Sequence, residues 1–358
     1  MDRVRAAVLG GTGLVGQRFI QLLDGHPFIE VTHITGRSSV GKLYGEAVDW
    51  RVEGGMPEWA RETRVSPSDP ELLAREGVEV AFSALPASIA ADIEVELAKR
   101  GVDVASNARP MRMEPDVPLL NGEVNHSHVR LARLQGETRG WRGVILKNPN
   151  CSTAILTLYL KPLLDEYGLE RVMVTTLQAI SGAGLRGLPA MYMVDNLVPH
   201  IPGEEWKIEN ESRKILGNLD GGKVKHLDLE ITATATRVPV VDGHTEVVYT
   251  KLSRRPEGVE EVAKVLEEFR SVPQEWSLPT APDKPLVVRR MEDRPQPRLD
   301  RLEGDGMSVV VGRLSLVDSR DGPWLRSVIL GHNTIRGAAG AAILAYEVYR
   351  AYKERGLL

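Results

Sequence analysis

The sequence is poor in cysteine, with a single residue of this type, Cys151, among 358. A single cysteine excludes intramolecular disulfides and metal sites built from several thiolates, so we predict no metal centre of that kind. Neither sign of charge is in large excess, because 45 Lys and Arg stand beside 49 Asp and Glu, giving a net charge of −4. No basic stripe indicates a nucleic-acid partner. No apolar run is long enough to span a bilayer and no secretory signal precedes the first strand, so we expect a cytoplasmic protein without a membrane partner.

The length of the chain exceeds the usual size of one hydrophobic core, so two domains are expected. Hydrophobic residues make up 42% and charged residues 26% of the sequence, which is ordinary for a globular protein.

A glycine-rich turn follows the first predicted strand, residues 3–9, and leads into an amphipathic helix. Its glycines repeat every third residue, which permits a tight turn, close approach to a pyrophosphate and close packing of helix on strand. We therefore predict a dinucleotide-binding turn, with a strand-to-helix connection that binds nothing as the alternative. The predicted cofactor contacts in this turn are Gly10, Thr12, Gly13, Leu14, Val15 and Gly16.

The second predicted strand, residues 29–35, is followed by Arg37, Ser38 and Ser39, where an NAD-specific site would usually carry an acidic residue. A guanidinium and two hydroxyls suit a 2′-phosphate, so this segment favours NADP over NAD; a solvated polar turn is the alternative. Further strands at residues 78–84 and 102–107 alternate with a helix, which indicates a parallel sheet. We expect Ser83, at the end of one of them, to face the cofactor crevice.

The lone thiol lies at a predicted helix start, in the stretch from Asn148 to Thr153. Pro149 keeps the chain extended before the helix, Asn150 is a residue type that caps helices, and apolar residues then recur at helical spacing. A helix N-terminus should lower the pKa of Cys151 and offer amide N–H groups to an oxyanion. The stretch therefore predicts a nucleophile. The alternative is that Cys151 is a small buried hydrophobic residue.

The second half of the chain carries polar residues at predicted strand ends, at turns and on one helix face. His244, beside a hairpin turn, is suited to general acid–base chemistry or is simply a turn residue. Glu204 and Lys207 share a helix face, where a solvated surface is the alternative. The predicted strands of this half indicate a mixed or antiparallel sheet broad enough to pair subunits, and a final helix rich in small residues is expected to return to the first domain. Further candidates are Gln178, Arg237, and the predicted cofactor contacts Ser181, Gly182 and Asn333.

Together these motifs resemble the aspartate-semialdehyde dehydrogenase family, in its archaeal and fungal-like branch, over nearly the whole chain. The resemblance rests on the glycine turn, the Arg-Ser-Ser segment, the Asn-Pro-Asn-Cys-Ser-Thr stretch, Gln followed by Ser-Gly-Ala-Gly, the Glu-x-x-Lys pair, and Arg-Val-Pro followed by Gly-His. It implies an α/β protein with an N-terminal Rossmann-type NADP-binding domain, formed by residues 1–149 and 331–358. Residues 150–330 would form a second, α+β, catalytic and dimerisation domain.

The resemblance also implies NADPH-dependent reductive dephosphorylation of L-4-aspartyl phosphate to L-aspartate 4-semialdehyde, a step toward lysine, threonine and methionine. Inorganic phosphate is then a partner, and the chain forms a homodimer or homotetramer. In the implied roles Cys151 attacks the acyl carbon, His244 transfers protons and Gln178 orients the substrate. Glu205 is adjacent to Glu204 and either could match the family's acid, although the spacing to Lys207 favours Glu204. The implied substrate-binding residues are Arg237 for the carboxylate, Glu204 for the amino group, Lys207 and Arg112 for the phosphate, and Asn150.

Several rival functions remain open at this point. A malonyl-CoA or succinyl-CoA reductase would share the fold and the chemistry of thiol and NADPH. An N-acetyl-glutamyl-phosphate reductase is disfavoured, because its substrate has no ammonium for Glu204. A non-redox hydrolase built on Cys151 and His244 would not need the glycine turn. A non-catalytic NADP sensor would not need the thiol.

Overall fold

The computed structural model describes residues 3–358, in which two six-stranded sheets and a small hairpin are connected by helices. The strands in this part of the chain are β1 (Val4–Leu9), β2 (Ile29–Gly36), β3 (Val65–Pro67), β4 (Val80–Ser83), β5 (Asp103–Ser106), β6 (Ile145–Lys147), β7 (Leu169–Gln178), β8 (Asn218–Asp220), β9 (Lys223–Lys225), β10 (Glu230–Arg237), β11 (His244–Leu252), β12 (Leu286–Arg289), β13 (Val309–Ser319) and β14 (Gly322–Gly331).

The helices pack on both faces of the first sheet and on one face of the second. The α-helices are α1 (Leu14–Leu22), α2 (Tyr44–Ala47), α3 (Glu58–Glu62), α4 (Pro70–Arg75), α5 (Ala87–Lys99), α6 (Gly122–Asn125), α7 (Leu131–Arg139), α8 (Cys151–Tyr167), α9 (Ala190–Met193), α10 (Glu204–Ile215), α11 (Val259–Glu268), α12 (Val272–Glu275), α13 (Pro297–Asp300) and α14 (Gly340–Glu354). Short 3-10 segments occupy His126–Arg130, Ile180–Ala183 and Glu303–Gly306, and a π-helix, Ile335–Ala339, precedes α14.

The first sheet is parallel, with the strand order β3-β2-β1-β4-β5-β6. This is the order of a dinucleotide-binding Rossmann fold, in which ligands lie at the carboxyl ends of the strands near β1. The turn from β1 to α1 is tight, because Gly10 has φ +71° and a Cβ on Gly16 would lie 2.4 Å from the Gly10 carbonyl oxygen. The predicted glycine turn therefore stands where the strand order reverses, and the predicted fold class is confirmed.

The second sheet is mixed and has the order β10-β7-β11-β14-β13-β12. Its two outer pairs are parallel and its inner pairs antiparallel, as the run of strands indicated. Alternate residues of β11, from His244 through Glu246 to Leu252, are buried beneath α8. The opposite face is partly exposed, and Met173 there is 45% exposed. The functional side chains of β11 therefore point to the face that carries Cys151.

The C-terminal helix α14 packs against the first sheet, as expected, where Tyr346 meets Phe82 edge to face at 5.8 Å between ring centroids. The segment before it passes very close to the start of α8, since a Cβ on Gly337 would lie 2.7 Å from Cys151 Cβ.

The domain boundaries at 149/150 and 330/331 stay predictions. Between residues 3 and 358, none of the helices has the length and apolar content needed to cross a membrane.

Candidate active site

The lone thiol is in contact with a buried histidine. Cys151 begins α8, His244 begins β11, and Cys151 Sγ lies 3.2 Å from His244 Nε2. On the other side of the ring, His244 Nδ1 accepts a hydrogen bond from the Ala179 N–H at 3.0 Å. Because a neutral imidazole has one donor and one acceptor nitrogen, its proton is on Nε2 and points at the sulfur. The ring is therefore oriented to donate to a thiolate or to an oxygen next to it.

The helix of the nucleophile is capped by Asn150. Its Oδ1 accepts from the N–H groups of Ser152 and Thr153 at 3.1 and 3.2 Å, while its Nδ2 donates to Glu204 Oε2 at 2.7 Å. Residues of the Asn type are preferred at this position because their side-chain oxygen satisfies free donors of the first turn. Asn150 thereby fixes the start of α8 and orients an acidic side chain beside it.

The pKa of the Cys151 thiol is raised to about 12, chiefly by burial and next by the Glu204 carboxylate. Arg237, the Ser152 N–H and Lys207 lower this pKa, but by less. The helix start therefore acts in the expected direction through the Ser152 N–H, but the expected net lowering of the Cys151 pKa is wrong. Burial and one nearby negative charge outweigh the amide and the cations.

Glu204 is a buried carboxylate with several partners. Its Oε1 accepts from Lys207 Nζ at 2.5 Å, and its Oε2 also accepts from Gln178 Nε2 at 3.3 Å. Burial raises the pKa of Glu204, but Lys207, Asn150 and Gln178 together lower it below its usual value, so the group is ionised. Glu205 points elsewhere, since its Oε1 accepts from the Ala235 N–H. Of the two adjacent acids, Glu204 is the one that lines the site.

Arg237, at the end of β10, is held by the same backbone segment as His244. Its Nη1 donates to the Ala179 carbonyl at 2.7 Å, while the N–H of that residue binds His244. Burial lowers the pKa of Arg237, and Cys151 and Glu204 raise it, but a guanidinium remains charged. Gly182 allows this arrangement, because a Cβ there would lie 2.6 Å from Arg237 Nη1.

Arg112 is tied into the wall of the site. It forms an ion pair with Glu211 at 2.9 Å and donates to the Asn107 carbonyl at 2.8 Å, and it is 7% exposed. The other oxygen of Glu211 accepts from the Asn150 N–H at 2.7 Å. Among the described residues, Arg112 Nε has no hydrogen-bond partner, so this guanidinium keeps one free donor.

These side chains line a cavity of about 390 Å³. Arg109 also lines the cavity. The predicted site residues that line it are Cys151, Gln178, Arg237, Glu204, Lys207, Arg112, Asn150, Val15, Ser181, Gly182 and Asn333. His244 lies behind Cys151 and is fully buried.

The glycine turn opens into this same cavity through Val15. Gly13 is the N-cap of α1 and gives the helix no side-chain cap, so its first N–H groups are free for an anion. On the other wall Asn333 donates to Ser181 Oγ at 2.8 Å and accepts from the Gly243 N–H at 2.9 Å. Close packing at Gly16 and an uncapped helix start fit a dinucleotide whose reactive ring reaches Cys151. The other predicted contacts of the turn, Gly10, Thr12 and Leu14, lie in or beside it.

The remaining predicted cofactor residues, Arg37, Ser38, Ser39 and Ser83, do not line this cavity. Arg37 and Ser38 are exposed just after β2, and Ser39 is buried. Ser83 is fully buried, and its hydroxyl donates to Glu94 at 2.7 Å, which is also paired with Lys147. The Ser83 hydroxyl is therefore engaged inside the first domain, and a contact of Ser83 with the cofactor stays a prediction.

Sequence reasoning missed four residues that shape the site: Ala179, Glu211, Glu246 and Gly337. Only Glu246 carried a local signal, since it stands two residues after His244 in an alternating strand and so shares its face. Within residues 3–358, no cluster of His, Cys, Asp and Glu has the arrangement of a metal site.

Family models match both halves of the chain. Residues 5–132 match "Semialdehyde dehydrogenase, NAD binding domain" and residues 160–336 match "Semialdehyde dehydrogenase, dimerisation domain". The aspartate-semialdehyde dehydrogenase of Methanothermobacter thermautotrophicus is 50% identical over 96% of this chain and 98% of its own length. The chain belongs to the semialdehyde dehydrogenase family. The resemblance predicted from the sequence is thereby confirmed.

Two further relatives match over nearly their whole length. The crystal structure of aspartate-semialdehyde dehydrogenase with NADP from Candida albicans superposes with a TM-score of 0.88 at 38% identity, covering 98% of this chain and 99% of that one. The malonyl CoA reductase (NADP) of Metallosphaera sedula is 39% identical over 96% of both chains. The match to the family's dimerisation domain covers all six strands of the second sheet, including its partly exposed face, and supports oligomerisation.

Proposed function

We propose that the chain is an NADPH-dependent aspartate-semialdehyde dehydrogenase, which converts L-4-aspartyl phosphate to L-aspartate 4-semialdehyde and inorganic phosphate. The observation that carries the proposal is the contact of Cys151 Sγ with His244 Nε2 at 3.2 Å, at a cavity that also reaches the glycine turn. A thiol and a nicotinamide must share one crevice if hydride is to reach an acyl group bound to the protein.

The charges around the thiol match those of an aspartyl phosphate. Glu204 is ionised and suits the ammonium, and Arg237 suits the carboxylate. Lys207 and Arg112 are cations that line the cavity and suit the phosphate. Gln178 and Asn150 both donate to Glu204, so they orient the ammonium site. The ion pair between Lys207 and Glu204 would open to admit substrate between them.

Substrate binding would itself activate the nucleophile. The Glu204 carboxylate raises the pKa of Cys151, so an ammonium placed on that carboxylate offsets its charge and lowers the thiol pKa. The His244 Nε2–H then donates to the forming thiolate. Attack on the acyl carbon forms the thioester bond and breaks the bond to phosphate, and the thiol proton leaves with hydrogen phosphate. His244 acts in this step as a donor, because its Nδ1 is occupied by the Ala179 N–H.

The oxyanion that forms beside Cys151 would be bound by the Cys151 N–H. The N–H groups of Ser152 and Thr153 already donate to Asn150, whereas the Cys151 N–H has no acceptor within residues 3–358. A free backbone donor at the reacting carbon stabilises developing negative charge. The sequence predicts that several N–H groups of the helix start bind the oxyanion, and we assign this role to the Cys151 N–H alone.

The glycine turn of Gly10, Gly13 and Gly16 would hold the pyrophosphate of NADP at the start of α1, and Arg37, Ser38 and Ser39 its 2′-phosphate. When bound, NADPH supplies the hydride that reduces the thioester carbonyl carbon. The oxyanion formed on that carbon then expels Cys151 as a thiolate and releases the semialdehyde. His244 again donates to the sulfur, and the thiolate takes up a proton from water before the next turnover.

A CoA-thioester reductase is the second candidate, because the relative from Metallosphaera sedula bears that name. Glu204 argues against it. A buried carboxylate beside the thiol is useful for a substrate with an ammonium and would repel a malonyl carboxylate.

The test is the phosphate-dependent oxidation of L-aspartate 4-semialdehyde with NADP, run beside the reduction of malonyl-CoA with NADPH. We expect activity in the first assay only. Activity in the second assay alone would contradict the proposed substrate and transfer the roles of Lys207 and Arg112 to a CoA site. Activity in neither would remove the proposal.

We also propose that the enzyme is a cytoplasmic homodimer or homotetramer. The match to the family's dimerisation domain and the partly exposed outer face of the second sheet, with Met173, support this assembly. Light scattering of the purified protein measures the number of subunits, and a monomer at micromolar concentration would contradict it.

A further inference from the structure

Glu246 is a fully buried carboxyl group beneath the active site that none of the roles above uses. It lies on β11 two residues after His244, so the two side chains share the face of the sheet that packs on α8. Its strand neighbours are Thr176 on β7 and Ile329 on β14, neither of which carries a charge. Among residues 3–358, neither carboxyl oxygen of Glu246 has a partner with hydrogen-bond geometry.

A second buried group without a partner stands next to it. The hydroxyl of Ser152, in the first turn of α8, is fully buried and equally lacks a partner in the described part of the chain. Burial raises the pKa of Glu246 well above its usual value, the nearby Ser152 hydroxyl lowers this pKa, and Glu204 raises it. Glu204 is thus the ionisable group from α10 that acts on Glu246. A second negative charge at this depth would be opposed both by desolvation and by Glu204.

We propose that Glu246 is a positioning residue, held as a neutral carboxylic acid that donates a hydrogen bond to Ser152 Oγ and so fixes the first turn of α8 against His244. A carboxylic acid has a donor that a carboxylate lacks, and both groups are buried and without another hydrogen-bond partner among residues 3–358. Through this bond Glu246 would hold the start of α8, with Cys151, against the face of β11 that carries His244. Because the acid is neutral, it adds no negative charge beside the thiolate.

The inference rests on the proposed function only where kcat and KM of the aspartate semialdehyde reaction are measured. Two other readouts need no substrate. Because Cys151 is the single cysteine of the chain, alkylation by iodoacetamide reports on this thiol alone. Infrared spectra at neutral pH report the carbonyl band of a protonated carboxylic acid, which a carboxylate lacks.

The variants are Glu246→Gln, which keeps a neutral donor, Glu246→Leu, which removes it, Ser152→Ala, and the Ser152→Ala/Glu246→Leu pair. We expect Glu246→Leu and Ser152→Ala each to lower kcat and the alkylation rate by about tenfold with KM nearly unchanged, as for the loss of one buried hydrogen bond. The double variant should be no slower than either single variant, since both remove the same bond. Glu246→Gln should restore the rate to within about threefold of the wild type, because the amide also donates.

The spectrum decides the protonation state separately. The neutral-acid band should be present in the wild type and reduced in Glu246→Gln, which can be measured even if Glu246→Leu does not fold. Three results would each overturn the proposal: no such band, a Gln variant as slow as the Leu variant, or additive effects in the double variant. Loss of the aspartate semialdehyde reaction with the band and the alkylation pattern intact would instead count against the proposed function.

Discussion

The backbone N–H of Ala179 donates to His244 Nδ1 at 3.0 Å, on the opposite side of the ring from Cys151. This bond assigns the proton of the neutral ring to Nε2. An imidazolium would also carry a proton on Nδ1, which would then face the Ala179 N–H. Burial lowers the pKa of His244 well below its usual value, and Arg237 and His332 lower it further. His244 is therefore a neutral donor to the sulfur across the physiological range of pH.

Three buried histidines predict a loss of stability in mild acid. The pKa of His128 is lowered to about 4 and that of His332 to about 3, both chiefly by burial, and that of His244 is lowered as well. Below pH 6.5 the unfolded chain therefore binds protons that the folded chain does not, so stability is full above pH 6.5 and falls as pH decreases toward 4.

Each such histidine contributes up to about 1.4 kcal/mol of unfolding free energy per pH unit in this window. Urea unfolding at several pH values measures the slope. His128→Asn should reduce it, whereas His200→Gln, at an exposed position, should leave it unchanged. A slope that is the same in both variants would exclude this origin.

Removing the negative charge of Glu204 should make Cys151 more reactive. Since the Glu204 carboxylate raises the pKa of the thiol, Glu204→Gln should shift the pH profile of alkylation to lower pH, by about one unit. Glu205→Gln is the matched control, because that side chain points to Ala235. An unchanged profile in Glu204→Gln would remove the proposed activation by the substrate ammonium.

The thiol should be required for chemistry and dispensable for cofactor binding. Cys151→Ala should abolish reduction, because no thioester can form, while NADPH titrated by fluorescence binds with nearly the same affinity. Surviving activity would contradict covalent catalysis. Loss of NADPH binding would mean that the substitution disturbs the fold of the crevice.

A charge reversal after β2 should change the choice of cofactor. Arg37 is exposed there, so Arg37→Glu is expected to weaken NADP by about tenfold or more and to affect NAD little, as for the loss of one charge-assisted contact. Arg298→Glu makes the same change of charge at an exposed position of the second domain. Binding titrations with both nucleotides measure the preference, and an unchanged ratio would remove Arg37 from the 2′-phosphate site.

The sequence predicted the parts of the site that depend on local structure. The glycine spacing predicts the turn before α1, and Pro149 with Asn150 predicts the start of α8, because turn and cap preferences act within a few residues. The pairing of Cys151 with His244 spans 93 residues of chain, and spacing alone could not predict it. Only the family resemblance placed Cys151 and His244 in one site. The packing of α8 on the mixed sheet determines the distance between the sulfur and the ring.

Burial and contacts between distant residues decide two features that the local sequence does not reveal. The raised pKa of Cys151 follows from desolvation and from Glu204 on another helix, neither of which the local sequence reveals. Ser83 does stand at the end of a strand, as predicted, but its hydroxyl turns to Glu94 of α5. A strand end can be predicted from periodicity, whereas the direction of a single side chain there depends on which partner packs against it.

The position of the Cys151 thiol can be tested by adding a methyl group at Gly337. A Cβ there would lie 2.7 Å from Cys151 Cβ and 3.0 Å from its Cα, and neither atom can move without shifting the first turn of α8. We expect Gly337→Ala to lower kcat and the alkylation rate by more than about tenfold, since a displacement of about 1 Å in a catalytic group has effects of that order. Gly258→Ala is the control, because a Cβ at that position meets no atom within 4 Å. If Gly337→Ala reacts like the wild type, the backbone near Cys151 is free to adjust, and the distance to His244 does not limit the reaction.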